Sequence, residues 1–561
     1  MSVEPPPLTV SIVGADAESF RIDVHRTDAG GRDDVAVTVT CTAPEDVSAG
    51  VRAELRLGAT DDPGWLIPGL FYGENRLAGC TRIYPRWVAD GTNVERMEAS
   101  AWSFRADRAA TPAVFAWTPV GGAALVTGEV SPLGESGVGF AYEGGDAVLR
   151  LEFPYREEPL AYDGSETPSP PDVPLHRWSP REAAALRFSL YRVGPDRHAY
   201  ADVLRDVHAR AGGGESPAWV SPQEAARLAA WGLYRWHYRP DPPRLLETVG
   251  FDRAGDREAM HVSWVSGVPY AYALLRHGRR VGNRAYVEAA EAVLDHVAGN
   301  LTPGGTFWAQ WTAERGWTTG WHPDRKRLHA RTLADAALFM LRAGGRWRDA
   351  ALSNVRVACG TQREDGALPA AHHVDTGGAV SWEGTAGLAW VPALAEAGEL
   401  EAARRAGAYY RRFVDAELLY GSPEDVDLAP TSEDGYAAVM AYVALYEHDG
   451  DERWLDAARR AADWTLTFRY SYDVAFSPLT VLGHYGFRTR GADQASPANQ
   501  HLHAFGLICL PEMVRLARHT GDPYYLERTR DNFACFRQFI AREDGDFNAY
   551  RGMASERFYQ T

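Results

Sequence analysis

The chain has 561 residues, 45% of them hydrophobic and 24% charged, and a formal net charge of −17. That is a globular composition with room for two or three domains, and its acidity argues against general binding to nucleic acid or an anionic membrane. No basic start followed by an apolar stretch opens the sequence, and no run of about 18 apolar residues occurs. Neither a secretory signal nor a membrane span is expected, which points to the cytoplasm.

Up to about residue 195 the pattern is β. DVAVTVTCTA, VRAELRLGA, AVFAWTPV, AALVTGEV, AVLRLEFPY and ALRFSLYRV are short alternating runs separated by Gly, Pro and Asp. Such spacing predicts an antiparallel sandwich. The Pro-rich stretch YDGSETPSPPDVPLH, near residues 162–176, predicts a long loop placed to overhang another domain.

From about residue 197 the period becomes helical. Residues 284–297 place Tyr286, Ala290, Val293 and Val297 on one face. Residues 400–414 do so with Leu400, Ala403, Ala406, Tyr410 and Phe413, and residues 522–540 with Tyr525, Thr529, Phe533 and Phe536. These outer helices share a start: Gly282-Asn283, Gly450-Asp451 and Gly521-Asp522, with Gly398-Glu399 as a weaker copy. Gly ends one helix in a left-handed conformation and Asn or Asp caps the next. A second, more apolar set is expected near 221–238, 264–277, 328–343, 380–396, 431–446 and 496–517. With a helix at 198–212 this makes about six hairpins, each pairing an outer helix with an inner one. Closed in a ring they form a toroid whose inner helices surround a cavity. The expected fold is therefore α+β and multidomain: an antiparallel β-sandwich over residues 1–195, a linker with a helix over 196–220, and an (α/α)6 toroid over 221–561.

This layout resembles the six-hairpin glycosidases, which join an (α/α)6 toroid to a β-sandwich. Within them it is closest in character to enzymes of uronic-acid glycosides, such as β-glucuronidases and unsaturated glucuronyl hydrolases, although no diagnostic catalytic motif of either is matched. Some polysaccharide lyases share both parts but usually carry the β domain last, so the order here favours a hydrolase. The resemblance covers nearly the whole chain and is one of layout.

Glycoside hydrolysis usually needs two carboxyl groups, one to protonate the leaving oxygen and one to activate water or attack carbon. SWEGTAG offers Glu383 beside Trp382, and TSEDGYAAV offers Glu433 and Asp434 before Tyr436. Glu383 and Asp434 are the preferred pair, with Glu433 in support. The competing reading is ordinary: Ser381 and Thr431 cap helices, and acids suit a first helical turn.

In SPANQHLHAFG, Ser496 is expected as a cap with Pro497 in the first turn. Asn499, His501 and His503 then supply hydrogen bonds to sugar hydroxyls. Two residues apart on a helix, the two histidines share no face and make a poor metal site. HVSWVSG adds His261 and Trp264, with a core role as the alternative. WTTGWHPDRKRLHART adds Trp321, His329 and Arg331. Arg331 is the preferred partner for a uronate carboxylate; a solvated loop is the alternative. In WLIPGLFYGENR, Tyr72, Glu74 and Arg76 are expected either to close one side of the pocket or to form a domain interface, with Glu74 a reserve carboxylate.

The five cysteines lie far apart without C-x-x-C, so disulfides and structural zinc are not expected. Nucleotide-binding and serine-hydrolase motifs are missing, so no cofactor or metal is implied. The sequence reads as an exo-acting glycoside hydrolase that removes a terminal sugar, with a uronic acid such as glucuronate as one candidate. The partner is an oligosaccharide or glycoside, not nucleic acid or membrane, and homo-oligomerisation stays open. The rivals are a uronate lyase or sugar epimerase on the same scaffold, and a non-catalytic carbohydrate-binding protein.

Overall fold

The computed structural model describes residues 7–212, 219–247, 258–320, 326–426 and 428–559. Between Leu8 and Val193 the chain forms two large antiparallel sheets. The first runs, in spatial order, Leu8–Val13, Val47–Ala59, Asp146–Phe153, Gly137–Glu143 and Ala101–Arg105, with His176–Trp178 also on Val47–Ala59. The second runs Phe20–Asp28, Arg32–Cys41, Ala183–Val193, Gly121–Thr127, Ala113–Thr118, Gly64–Ile67 and Phe71–Tyr72. Arg32–Cys41 shows the cause: Val35, Val37, Val39 and Cys41 point inward and are buried while their neighbours face out. The inward faces share one core, in which Trp65 stacks on Phe140 at 4.3 Å.

The rest is mainly helical. The hairpins are α3 (Gly267–Val281) with α4 (Arg284–Ala298), α5 (Ala330–Ala343) with α6 (Arg348–Gly360), and α7 (Trp390–Ala397) with α8 (Leu400–Asp415). They continue with α9 (Ser432–Asp449) and α10 (Glu452–Leu466), then, past the one-turn α11 (Val481–His484), α12 (Leu510–Thr520) and α13 (Pro523–Phe536). Before them, α1 (Tyr200–Ala211) docks on α10 and α13, where Arg205 pairs with Asp463 and Asp522. Next, α2 (Pro222–Gly232) touches α3. Successive inner helices touch in the series α3, α5, α7, α9, α12. The expected caps are in place: Asn283, Asp451 and Asp522 each accept a first-turn N–H. Gly282, Gly398, Gly450 and Gly521 all have φ between 64° and 93°, where a side chain would be strained.

Two inner helices differ from the expectation. Residues 380–396 do not begin as helix: Ala379–Ser381 is a strand paired with Ala371–His373, and α7 starts only at Trp390. Gly384 has φ 71° and lies so near Tyr420 that a Cβ would meet its carbonyl oxygen at 2.5 Å, so the chain turns there. Ser381 therefore caps no helix. Residues 496–517 open as a β-hairpin, Asp493–Ser496 against Asn499–His503, and Arg557–Phe558 adds a third strand. Pro497 sits in its turn rather than in a helix.

The two halves interlock. The Tyr72 ring stacks on Phe468 at 4.7 Å and its hydroxyl meets Thr467 at 2.7 Å. Val426, Ala429 and Ala498 join the core of the sheets. The Pro-rich loop does overhang the helical half: Tyr162 donates to the Pro497 carbonyl at 2.9 Å. Among the described residues no helix is long and apolar enough to cross a membrane.

Candidate active site

A cavity of about 1340 Å³ runs along the inner helices, lined by residues of α2, α3, α5, α7, α9 and α12 and by the segment from Phe536 to Glu556. At the amino-terminal end of the helices it meets Trp264, Arg331, Glu433, Tyr436 and Glu556. Helix starts position these groups. Thr431 caps α9, so Glu433 falls in its first turn; Arg331 is the second residue of α5. Trp264, at φ 72°, precedes α3.

Arg331 is 5% exposed and its Nη1 is bonded to Glu433. One face of the guanidinium lies over the Trp264 ring, 4.7 Å from its centroid. Nε and Nη2, the two donors that form a parallel fork, have no hydrogen-bond partner among the described residues. At two other arginines that fork is filled: Arg469 grips Asp493 through Nε at 2.7 Å and Nη2 at 3.0 Å, and Arg346 grips Asp295 the same way. A buried guanidinium with its fork unfilled is costly unless a ligand uses it.

Carboxyl groups crowd the same end. Burial pushes Glu433 up to about 7, with Arg331 opposing and Asp425 adding to the rise. Burial pushes Glu556 up to about 8, with Arg557 opposing and Glu433 adding, and its Oε2 has no partner among the described residues. Burial likewise raises Glu424 to about 7 and Asp335 to about 6. Such groups are poised to exchange protons near neutral pH. Among the described residues, no group of three or more His, Cys, Asp or Glu is placed to hold a metal ion.

Behind Glu433, a void of about 10 Å³ is lined by Asn499, His501, His503 and Glu556. The strand conformation overturns the expectation that the two histidines cannot share a face: residues two apart in a strand do so, and their rings lie 5.7 Å apart. Burial holds His501 well below the usual imidazole range and His503 at about 3. Both are neutral. His503 Nε2 lies 2.8 Å from the Ser432 hydroxyl and 3.2 Å from that of Tyr436, which donates to Asp493 at 2.7 Å.

Other expected residues fall elsewhere. Glu383 is exposed and its backbone N–H bonds to Ser381 Oγ; Trp382 donates to the Thr361 carbonyl at 3.3 Å. Neither lines the cavity. Asp434 is fully buried and accepts from Thr385, Ser422 and Thr431 at 2.6–2.8 Å. It ties three loops together and faces no cavity. His261 is fully buried, 3.8 Å from the Glu247 carboxylate and edge-on to Trp264. His329 precedes α5, is held at about 3 by burial, and is not a lining residue. Tyr72 is in the seam between the halves. Glu74 pairs with Arg86 at 2.9 Å and Arg76 with Glu98 at 2.8 Å, both within the β region. Trp321 lies outside the described residues.

Four carboxyls at this end escaped the sequence reading: Asp335, Glu424, Asp425 and Glu556. Only the GSPED stretch just before the Thr431 cap carried a local signal. Glu556 reaches the site because the strand just after it, Arg557–Phe558, pairs with Asn499–His503, a long-range contact with no local signature.

No family model and no curated protein matches the chain. Similar solved structures include a polysaccharide lyase at 9% identity and TM-score 0.46, covering 96% of this chain and 84% of that one. A D-mannose isomerase aligns at 11% identity and TM-score 0.45, covering 61% and 94%. An unsaturated glucuronyl hydrolase from Bacillus sp. GL1 aligns at 14% identity and TM-score 0.40, covering 60% and 91%.

Proposed function

We propose that this chain is a carbohydrate-processing enzyme: an exo-acting glycoside hydrolase that removes a terminal uronic acid. Its parts are a β-sandwich over residues 1–195, a helical linker over 196–220 and an (α/α)6 toroid over 221–561. The observation that carries the reading is the unfilled Nε/Nη2 fork of buried Arg331, set against carboxyls that keep their protons up to near-neutral pH. The fork takes both oxygens of the sugar carboxylate. Trp264, already under the guanidinium, offers its edge to the sugar ring.

Glu556, held higher, stays protonated at neutral pH and gives its proton to the leaving oxygen. Glu433, beside the Arg331 charge, ionises first and takes a proton from the attacking water. The two titrate as a pair, so the roles belong to the pair's preferred microstate. Arg331 keeps Glu433 anionic at the moment the base is needed.

A second reading has a specific support. His503, neutral and bonded to Tyr436, is a candidate base, and Arg331 neutralises a carboxylate beside the carbon that loses its proton. That is lyase or epimerase chemistry. One experiment separates them: saturated and unsaturated uronic-acid oligosaccharides are followed by absorbance of the C4=C5 double bond, with released sugar assayed in the same tubes. Sugar release from the saturated set without an absorbance rise supports hydrolysis. A rise refutes it in favour of elimination. Silence in every tube removes uronide hydrolysis and elimination and leaves epimerisation, to which neither signal responds.

A further inference from the structure

The cavity is electrically and physically asymmetric. Its Arg331 end is lined by buried groups: Arg331 is 5% exposed, Tyr436 2% and Glu556 6%. At the other end, where the inner helices finish, the lining residues Arg276, Arg280 and Arg518 are exposed. The cavity opens to solvent there, and also between α3 and α12, where the lining residues Ala273, Leu507 and Pro511 are exposed. Five arginines converge at the carboxyl-terminal ends of the helices: Arg276 and Arg280 one turn apart on α3, Arg342 on α5, and Arg515 and Arg518 on α12.

Two of the five are neutralised. Glu512 bonds Arg342 at 3.4 Å and Arg515 at 2.6 Å, and Glu447 adds a 3.0 Å contact to Arg515. Arg276 bonds the Tyr272 hydroxyl, at 3.2 Å, and Arg280 the His277 ring, at 3.1 Å. Neither they nor Arg518 have a carboxylate partner among the described residues. In a chain with 75 acidic and 58 basic side chains, three unpaired arginines gathered on one cavity mouth are not the average surface. Helix ends account for some cationic preference, but not for their convergence on one opening. Aromatic rings line the path between: Tyr272 and Phe339 lie 5.5 Å apart on the cavity wall. From Arg331 to Arg342 along α5 the path is about 16 Å, long enough for several sugar rings.

We propose that this mouth is a second binding site, for oxyanion groups on the remote residues of a carbohydrate chain whose terminal residue lies at Arg331. The inference rests on the proposed function only for the position of that terminal residue. The chain threads in from the helix carboxyl ends, its far carboxylates or sulfates paired with Arg276, Arg280 and Arg518. These contacts are exposed, so each is weak and salt-sensitive; together they select for length and charge.

The test uses the full chain and calorimetric binding of four probes: a uronate disaccharide, a uronate hexasaccharide, a sulfated hexasaccharide and a neutral hexasaccharide. The uronate hexasaccharide binds more tightly than the disaccharide. The triple variant Arg276→Ala, Arg280→Ala, Arg518→Ala lowers that ratio about tenfold. Raising salt severalfold shrinks the same ratio in the parent protein, which checks the result without any variant. A sulfated hexasaccharide that outcompetes the uronate one assigns sulfate as the oxyanion. An unchanged ratio in the triple variant, or an equal loss for the neutral hexasaccharide, overturns the proposal while leaving the Arg331 reading intact. Hexasaccharide binding without disaccharide binding keeps the rim site and removes the Arg331 reading. Binding of neither removes both.

Discussion

Replacing Arg331 with Met tests the site most directly. Met keeps an apolar stem against Trp264 and removes both fork donors. Each charge-assisted hydrogen bond to a ligand contributes about 1.5–3 kcal/mol, so two are worth roughly 3–6 kcal/mol, a fall of about 10²–10⁴ in kcat/KM for a uronide. A glycoside whose carboxylate is reduced to a hydroxymethyl group never used the fork; it shares with the uronide only the loss that follows from protonation of Glu433. The quantity to measure is thus the ratio of kcat/KM for the two substrates, parent against variant. Removing one partner of a buried ion pair costs stability, about 3–5 kcal/mol when the other stays charged. Glu433 already titrates near 7, so without Arg331 it takes a proton, and the loss is smaller at pH 6 than at pH 8. The assay is therefore run at pH 6, with folding checked by thermal melting. Arg331→Lys keeps the charge without the planar fork and recovers only part of the ratio. If both substrates slow equally, Arg331 serves the fold and the charge of Glu433 and does not read the carboxylate.

Glu556→Gln is expected to lower kcat by at least about a hundredfold while raising the melting temperature. The sign follows from its folded value of about 8 against roughly 4.3 unfolded: burying it costs nothing at low pH and progressively more as pH rises through 8, so the gain is larger at pH 8.5 than at pH 5. Glu383→Gln, by contrast, leaves kcat/KM within about twofold, because the side chain is exposed and off the cavity; a large loss would restore Glu383 as a candidate. His198 joins the start of the helical half to α10 through Asp463 at 3.2 Å and to Glu417 at 2.8 Å. Burial pulls it down, but those bonds outweigh it and hold it at about 9. Its stabilisation is complete below about 6.5 and is lost as pH rises through 9. His198→Gln therefore lowers the melting temperature at pH 6 and not at pH 10; an equal drop at both would refute the ionic account.

How much was legible depended on whether the signal was local. The hairpin starts were, because Gly282, Gly450 and Gly521 need a left-handed backbone and the residue after each must cap, two demands met within six residues. So were the strands of Arg32–Cys41 and Ala183–Val193, whose alternation is a property of their own sequence. Arg331 drew notice in the sequence as a basic residue entering an apolar helix, and the structure places it on the cavity wall. The failures share one cause. SWEGTAG and SPANQHLHAFG both begin with a residue that caps helices well, and both are apolar afterwards, so local preference favoured helix. In each, a distant strand won: Ala371–His373 pairs with Ala379–Ser381, and Phe558 pairs with Leu502. That pairing changed the side-chain period from 3.6 to 2. It put His501 and His503 on one face and drew Glu556 in beside them. It also left Glu383 in solvent, on a strand-to-turn exit instead of a helix mouth. The carboxyl set could not be read along the chain, because it is assembled across strand partners far apart in sequence. The arginine at its centre could, because its helix alone places it.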